Sequence, residues 1–276
     1  MKKYLSNNFD RSKFVNVFDE LPLWSAPFGL KLLDNIDYKP NICALDIGFG
    51  TGFPLTEIAM RLGKSCTVYG IDPWKEAIRR AKEKIEYYEI DNIEIIEGVA
   101  ESMPLKDNYI DLITSNNGLN NVSDIEKSLR ECFRVMKKGG QFIQTFNMNQ
   151  SMFEFYSVME TALTELNLHK EIELMHAHIE KKRPSIDKYL KKIREAGFTI
   201  KDVEQNQFNY HFVDGTSMLN HYFIRLAFIS SWTEFLPKNQ LHEIFDSIEN
   251  KLNILSEQIG GLKLSIPYAL INATKI

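Results

Sequence analysis

An aspartate ends an apolar run, and glycine then takes every second position, in the stretch ALDIGFGTGFPLTEIA over residues 44–59. Gly48, Gly50 and Gly52 let the backbone turn tightly and bring main-chain N–H groups against a ligand with no Cβ in the way. Pro54 suits the first turn of a following helix, where its missing N–H costs nothing. Spacing then separates two ligand classes. A dinucleotide pyrophosphate is held by Gly-x-Gly-x-x-Gly at a helix N-terminus, whereas here the third glycine comes one position early and Asp46 precedes the first. A carboxylate in that place opposes a pyrophosphate and favours a cation.

A second acid, Asp72 in VYGIDPW, ends the next apolar run. Its two oxygens can accept both hydroxyls of a ribose seated on the glycine loop. The same residue can cap a helix that starts at Pro73 and Trp74, and the two roles can coexist. SNNGLNNV, residues 115–122, packs four asparagines into a short loop. Such residues form turns. At the carboxyl end of a parallel sheet, where α/β enzymes bind ligands, Asn116 and Asn117 become contacts, Asn120 less directly.

In NYHFVDGTSMLNHYFIRLAF, residues 209–228, Met218, His221, Tyr222 and Arg225 fall three and four apart, so a helix from residue 216 would carry them on one face. On one reading Met218 and Tyr222 pack in a core and His221 and Arg225 form a solvated edge. On the other, the helix is a lid: His221 or Tyr222 orients or deprotonates an acceptor, and Arg225 pairs with an anionic group on it. His211, alone on a strand, reads as structural. His176 and His178 alternate as on one strand face but have no third ligand nearby, so no metal is expected. Cys43, Cys66 and Cys132 stand singly in apolar stretches and read as buried, inert thiols.

The elements that must position these residues follow from periodicity. Strands are expected at residues 42–47, 67–71, 93–97, 110–115 and 141–146, with helices at 55–62, 74–88 and 123–135. The last opens with a Ser123-x-x-Glu126 capping box and closes on KKGG at 137–140. Helices at 152–166 and 186–196 come next, separated by a charged segment at 169–183; a long strand at 199–212 follows. Helical stretches at 216–235 and 239–258, broken at Pro237, precede a final strand at 262–273. Repeated βα units build a parallel sheet. The expected organisation is an N-terminal segment over 1–40, a core over 41–150, and a remainder over 151–276 that returns to the sheet and carries a helical cap at about 214–260. The N-terminal segment holds Phe14, Phe18, Trp24 and Phe28 with Pro22, Pro27 and Gly29.

With 276 residues, 44% of them apolar, the chain can bury one large core with an insertion. Its net charge of -4 leaves no basic footprint for a phosphate backbone. No apolar run approaches the ~20 residues of a membrane span and no leader is evident, so a soluble, cytoplasmic protein is expected, without nucleic-acid or membrane partners.

ALDIGFGTG, YGIDPW, EGVAESMPLKDNYIDLITSNNGLNNV and LRECFRVMKKGGQFIQT, in that order, resemble the successive motifs of class I S-adenosylmethionine-dependent methyltransferases, in the branch that includes the ubiquinone and menaquinone C-methyltransferases. The resemblance covers about residues 40–147. It implies a Rossmann-like, doubly wound, seven-stranded and mostly parallel sheet with its last strand antiparallel, and S-adenosylmethionine as cofactor. Gly48, Gly50 and Gly52 would line its methionine and ribose portions, with Asp46 near the amino end. Asp72 would take the ribose hydroxyls, and Pro73 or Trp74 would lie by the adenine. Such enzymes often carry Gly-Asp-Ala after the third strand; Val99 stands in the acidic place, so Glu101 or main chain around Ala100 must serve. Asn116 and Asn117 would pass under the methionine tail, and the N-terminal segment would fold over the cofactor. Methyl transfer from a sulfonium needs mainly alignment and exclusion of water. The expected function is methylation of a small molecule. The alternatives are a cofactor-binding protein without transferase activity, a methyltransferase of RNA or protein, and an NAD-dependent oxidoreductase, the last disfavoured by the glycine spacing.

Overall fold

The computed structural model of the chain describes residues 2–5 and 24–276. Phe14, Phe18, Leu21, Pro22 and Leu23 lie outside the described residues. The chain enters through α1 (Ser25–Asp34), which buries Phe28, Gly29, Leu32 and Leu33. It then alternates β1 (Cys43–Ile47), α2 (Leu55–Leu62), β2 (Thr67–Asp72), α3 (Lys75–Tyr87), β3 (Ile93–Glu97), β4 (Ile110–Asn116), α4 (Ile125–Val135) and β5 (Met136–Asn147). After these come α5 (Phe153–Glu165), α6 (His169–Lys182), α7 (Ile186–Glu195), β6 (Phe198–Phe212), α8 (Gly215–Asn220), α9 (Leu241–Ile259) and β7 (Leu262–Lys275).

The seven strands run in the order β3-β2-β1-β4-β5-β7-β6. The first five are parallel, with Ala44 opposite both Val68 and Leu112, and β7 is antiparallel to β5, from Gln141 opposite Thr274 to Asn147 opposite Tyr268. This is the doubly wound α/β sheet with antiparallel last strand that the motifs implied. The strand order reverses between β1 and β4, so a crevice opens at their carboxyl ends.

The described residues pack as two compact units. One holds residues 24–147, 185–206 and 268–276; the other holds 2–5, 148–184 and 207–267. In the first, Leu32, Leu33, Leu45, Phe49, Leu55, Ile58 and Ile143 form a buried core. In the second, Trp232 is fully buried, stacked on Phe155 with centroids 3.8 Å apart. There Tyr4 donates to Glu249 at 2.7 Å and Lys251 pairs with Glu165 at 2.6 Å. No helix among the described residues is long and apolar enough to cross a membrane.

Several elements depart from their sequence periodicity for local reasons. KKGG does not close a helix: Met136 is already extended at ψ 138°, and β5 begins there. The register shifts between Ile110 opposite Met136 and Leu112 opposite Gln141, so Gly139, at φ 76°, serves a strand irregularity. Lys137 pairs with Asp111 at 2.8 Å instead of with a helix end. The capping box at Ser123 is absent too; Asp124 caps α4 by accepting from Lys127 N at 3.0 Å, and Glu126 pairs with Lys192. The charged segment at 169–183 is the helix α6, whose only buried residue is Met175, which is why periodicity misses it. Cys66 and Cys132 are buried, whereas Cys43 is only half-buried.

A lysine on β7 closes the core. Lys275, 7% exposed, donates from Nζ to the carbonyls of Phe133 at 2.6 Å and Met136 at 2.8 Å and to Asn108 Oδ1 at 2.8 Å. It thereby satisfies carbonyls at the end of α4. Replacing it with methionine keeps the stem but strands those acceptors, and should lower unfolding free energy by about 1.5–3 kcal/mol. Urea denaturation at pH 7 measures this, and an unchanged midpoint would remove Lys275 from the stability of the core.

Candidate functional site

Backbone meets backbone where the loops after β1 and β4 approach. A Cβ on Gly48, which sits at φ 76°, would come 2.6 Å from the Gly118 Cα, and one on Gly118 would overlap the Ile47 carbonyl oxygen. Ser115 locks the contact: its hydroxyl donates to the Ile47 carbonyl and accepts from Leu119 N, both at 3.0 Å. Gly50 differs. A Cβ there meets nothing within 4 Å, so its bare side faces open space.

One carboxylate ties this loop to the next element. Asp72 Oδ2 accepts from Gly50 N and Oδ1 from Trp74 N, each at 2.8 Å. Each oxygen keeps further acceptor capacity, so a pair of ribose hydroxyls can be taken without breaking either bond. Burial raises the pKa of the Asp72 carboxyl, and the two N–H donors oppose that rise.

Around these groups lies a cleft of about 500 Å³, within the ~300–1,000 Å³ range of small-molecule sites. Trp24 and Ser25 line it, with residues 47–51 and Phe53 of the glycine loop, Asp72, Pro73 and Trp74, residues 98–101 after β3, and residues 116–118 and 121–123 after β4. Of the expected cofactor contacts, Gly48, Gly50, Asp72, Pro73, Trp74, Ala100, Glu101, Asn116 and Asn117 all face this cleft; Asp46 and Gly52 do not line it. The Gly52 carbonyl instead accepts from Thr56 N at 2.9 Å, starting α2. Asn121 lines the cleft where Asn120 was the weaker candidate.

Asp46 lies 1% exposed on β1, with Oδ1 accepting from Thr114 Oγ1 at 2.7 Å and Oδ2 without a partner among the described residues. Burial, aided by the negative charge of Asp72, pushes its carboxyl up to about 7. Asn117 takes a left-handed conformation at φ 60°, its N–H on Thr145 Oγ1 at 3.0 Å, and its side-chain amide nitrogen is buried without a partner among the described residues. Adjacent strand ends thus present an unused acceptor and an unused donor. The ammonium and carboxylate of a bound amino-acid moiety have the complementary chemistry, so the residues present fit S-adenosylmethionine.

Other candidates hold structure as well. Glu101 Oε1 accepts from Ser123 N at 2.8 Å and Asp124 N at 3.1 Å, tying the loop after β3 to the start of α4. Val99, in the place often acidic, is 44% exposed. Asn116 donates to the Ser25 carbonyl and accepts from Thr145 Oγ1, both at 3.0 Å, tying α1 to β4. Sequence reasoning passed over Gly118, Ser115, Thr145 and Lys84, whose Nζ donates to the Thr51 carbonyl at 2.8 Å beside the cleft. Only Gly118, a glycine among asparagines, carried a local signal.

The acceptor-side candidates belong to the second unit, and their shared helix face does not exist. α8 ends at Asn220, and His221, at φ -59° and ψ 131°, is outside any helix. Asp214 caps α8 through Ser217 N at 2.6 Å, and the Asn220 side chain donates to the Thr216 carbonyl at 2.9 Å, competing with continuation. The chain resumes at Tyr222–Ile224, makes a π turn over Arg225–Ile229, and continues through Ser230–Thr233. Met218 is buried and Tyr222 is 36% exposed. The His221 ring meets Phe212 edge-on at 5.5 Å, and partial burial lowers its pKa below the usual 6.5. His211 is exposed on β6. His176 and His178 sit on α6, not on a strand; the first is 3.5 Å from Glu160 and the second 2.9 Å from Ser231 Oγ. Among the described residues, no group of three His, Cys, Asp or Glu side chains is placed to hold a metal.

Residues 45–144 match the family model described as a methyltransferase domain. A demethylmenaquinone methyltransferase from Bacillus mycoides (strain KBAB4) is 31% identical over 151 residues, which is 55% of this chain and 62% of that protein. The chain therefore spans less than two thirds of that relative's length. Among solved structures, the YcgJ protein from Bacillus subtilis superposes with a TM-score of 0.58 at 17% identity, over 90% of this chain and 97% of that one. Geranyl diphosphate C-methyltransferase from Streptomyces coelicolor A3(2), solved with Mg2+, geranyl diphosphate and S-adenosyl-L-homocysteine, does so with 0.55 at 15% identity, over 91% and 77%. These likenesses show a shared fold.

Gly118→Ala should destabilise the fold by about 3 kcal/mol or more, since the new Cβ meets backbone that cannot swing aside. Gly50→Ala, strained only by its positive φ, should cost about 1 kcal/mol. Thermal unfolding of the two variants compares them, and equal costs would remove the close approach as a constraint.

Proposed function

We propose that the core of this chain is a class I S-adenosylmethionine-dependent methyltransferase domain and that the protein uses it to methylate a small-molecule acceptor. The observation that carries the reading is the Asp72 carboxylate, held by Gly50 N and Trp74 N with acceptor capacity to spare in the cleft. Asp46 beside the floor and Glu101 on the wall add negative charge suited to a cationic ligand. When bound, S-adenosylmethionine supplies a sulfonium methyl group open to in-line displacement by a nucleophile. The chain's own contribution is alignment and a dry site, for which Trp24, Phe49 and Phe53 provide apolar walls. Similarity to a demethylmenaquinone methyltransferase supports a small, partly apolar acceptor. On the acceptor side we assign His221 the role of proton acceptor and Tyr222 and Arg225 that of orienting groups. The His221 imidazole, its pKa lowered by burial, is neutral at pH 7 and able to take a proton. A cytoplasmic setting suits this chemistry.

Titration calorimetry with S-adenosylmethionine, S-adenosylhomocysteine and NAD tests the cofactor; binding of NAD alone would overturn the reading. Radiolabelled methyl incorporation across a metabolite library, with RNA and protein fractions as controls, tests the acceptor class. Asp72→Ala should weaken S-adenosylmethionine by about 1–3 kcal/mol, the cost of lost hydrogen bonds to a charged group, and undiminished affinity would remove Asp72 from the ribose site. Asp46 sets a pH dependence. Its carboxyl is protonated below about 7 in the free protein, and a bound cation favours the ionised form, so binding releases a proton and tightens as pH rises from 6 to 8. Asp46→Asn should flatten this component, and identical pH profiles for the two proteins would sink the assignment. With His221 as proton acceptor, kcat of the native protein should fall at acid pH, below the usual imidazole range, and His221→Ala should lose that acid limb.

A further inference from the structure

One basic side chain, Lys84 on α3, stands among the described residues that line the cleft, where Asp72 and Glu101 supply the opposite charge. It is half-buried and donates from Nζ to the Thr51 carbonyl at 2.8 Å. The packing behind this bond is close. A Cβ on Gly52 would stand 3.6 Å from that of the buried Ala81, which lies three residues before Lys84 and on the same helix face, so the glycine loop rests directly on α3. Within the loop, Gly50 is held through its N–H by Asp72, and the Gly52 carbonyl starts α2. Lys84 fixes the carbonyl between those two anchors.

A neutral amide could donate the same hydrogen bond. A lysine adds a full positive charge. A space of about 500 Å³ is roughly 10 Å across, comparable with the Debye length at ~0.1 M salt, so a charge bound in it feels the ammonium with little screening. S-adenosylmethionine and S-adenosylhomocysteine share their adenine, ribose and amino-acid groups and differ by a methyl group and the positive charge of the sulfonium. Contacts to the shared groups favour both ligands alike. A fixed cation in the cleft acts on their difference.

We propose that Lys84 sets the balance between the two ligands: its bond to Thr51 holds the glycine loop for both, and its charge disfavours the sulfonium, shifting the site towards the spent, uncharged cofactor. Transfer then slows as its own product accumulates. The assignment deepens the methyltransferase reading and rests on it.

Titration calorimetry at pH 7 and fixed ionic strength measures three ligands on the full native chain and on Lys84→Met, Lys84→Gln and Lys84→Arg. They are S-adenosylmethionine, S-adenosylhomocysteine and sinefungin, which carries a cationic amine in place of the sulfonium. The ratio of dissociation constants, S-adenosylmethionine over S-adenosylhomocysteine, should fall about two- to tenfold in Lys84→Met and Lys84→Gln and hold its native value in Lys84→Arg. The ratio for sinefungin over S-adenosylhomocysteine should move with it. Lys84→Met, which also loses the tie to Thr51, should weaken S-adenosylhomocysteine itself by about threefold or more; Lys84→Gln reads the charge effect if the methionine variant fails to fold. Native ratios in the uncharged variants overturn the proposal even where all affinities fall together, since a purely structural tie moves the ligands equally. A ratio that rises, or a sinefungin ratio that stays put, overturns it as well. Failure of all three ligands to bind the native chain overturns the methyltransferase reading beneath it.

Discussion

Two glycines that touch, Gly48 and Gly118, set the geometry on which the cleft depends. Their contact leaves no room for a side chain between the ends of β1 and β4, so the loop after each strand must spread away from the other, opening the crevice at the switch point of the sheet. Ser115 fixes the distance by bonding the Ile47 carbonyl from below and Leu119 from above. Gly50, two residues on, is free of such crowding and lines the cleft with its bare Cα.

Upon that contact the acidic residues acquire distinct roles. Asp72 is a structural tie and a free acceptor at once, because a carboxylate has more lone pairs than its two backbone bonds consume. Glu101 ties the next pair of loops in the same way. Asp46 is buried with one oxygen unanswered among the described residues, and burial, aided by the charge of Asp72, raises its pKa. A carboxylate so placed costs stability as pH rises from 3.8 towards 7, because the folded state holds a proton that the unfolded chain has released.

The second unit is organised differently, around stacked aromatic rings and a helix that stops at His221. The interruption places Tyr222 and the π turn in a setting that a continuous amphipathic helix would not allow. The same segment brings Trp232 to Tyr156. Polar groups set among Phe155, Phe228 and Trp232 interact more strongly than they would in water.

How much of this was legible varies with how local the cause is. The helix at 55–62 and the strand at 93–97 were read to the residue, since their apolar spacing and flanking breaks are properties of the segment itself. That Asp72 and the glycine loop end neighbouring strands was legible for the same reason, and the structure ties them through Gly50 N. KKGG was not, because a glycine that ends a helix and one that bulges a strand look alike until Ile110 and Leu112 supply the pairing. His221 misled, because three- and four-residue spacing presumes a helix that ends at Asn220, whose side chain turns back on the Thr216 carbonyl. Gly118 and Thr145 owe their meaning to partners that distant segments deliver: the Ile47 carbonyl, and the Asn116 and Asn117 amides. The amino-acid sequence by itself determined the alternation of strands and helices and the chemistry of the cofactor loop, because periodicity and residue type act over a few neighbours. Tertiary structure alone decided which polar atoms stay unanswered, because satisfaction of a buried donor or acceptor depends on every segment folded against it.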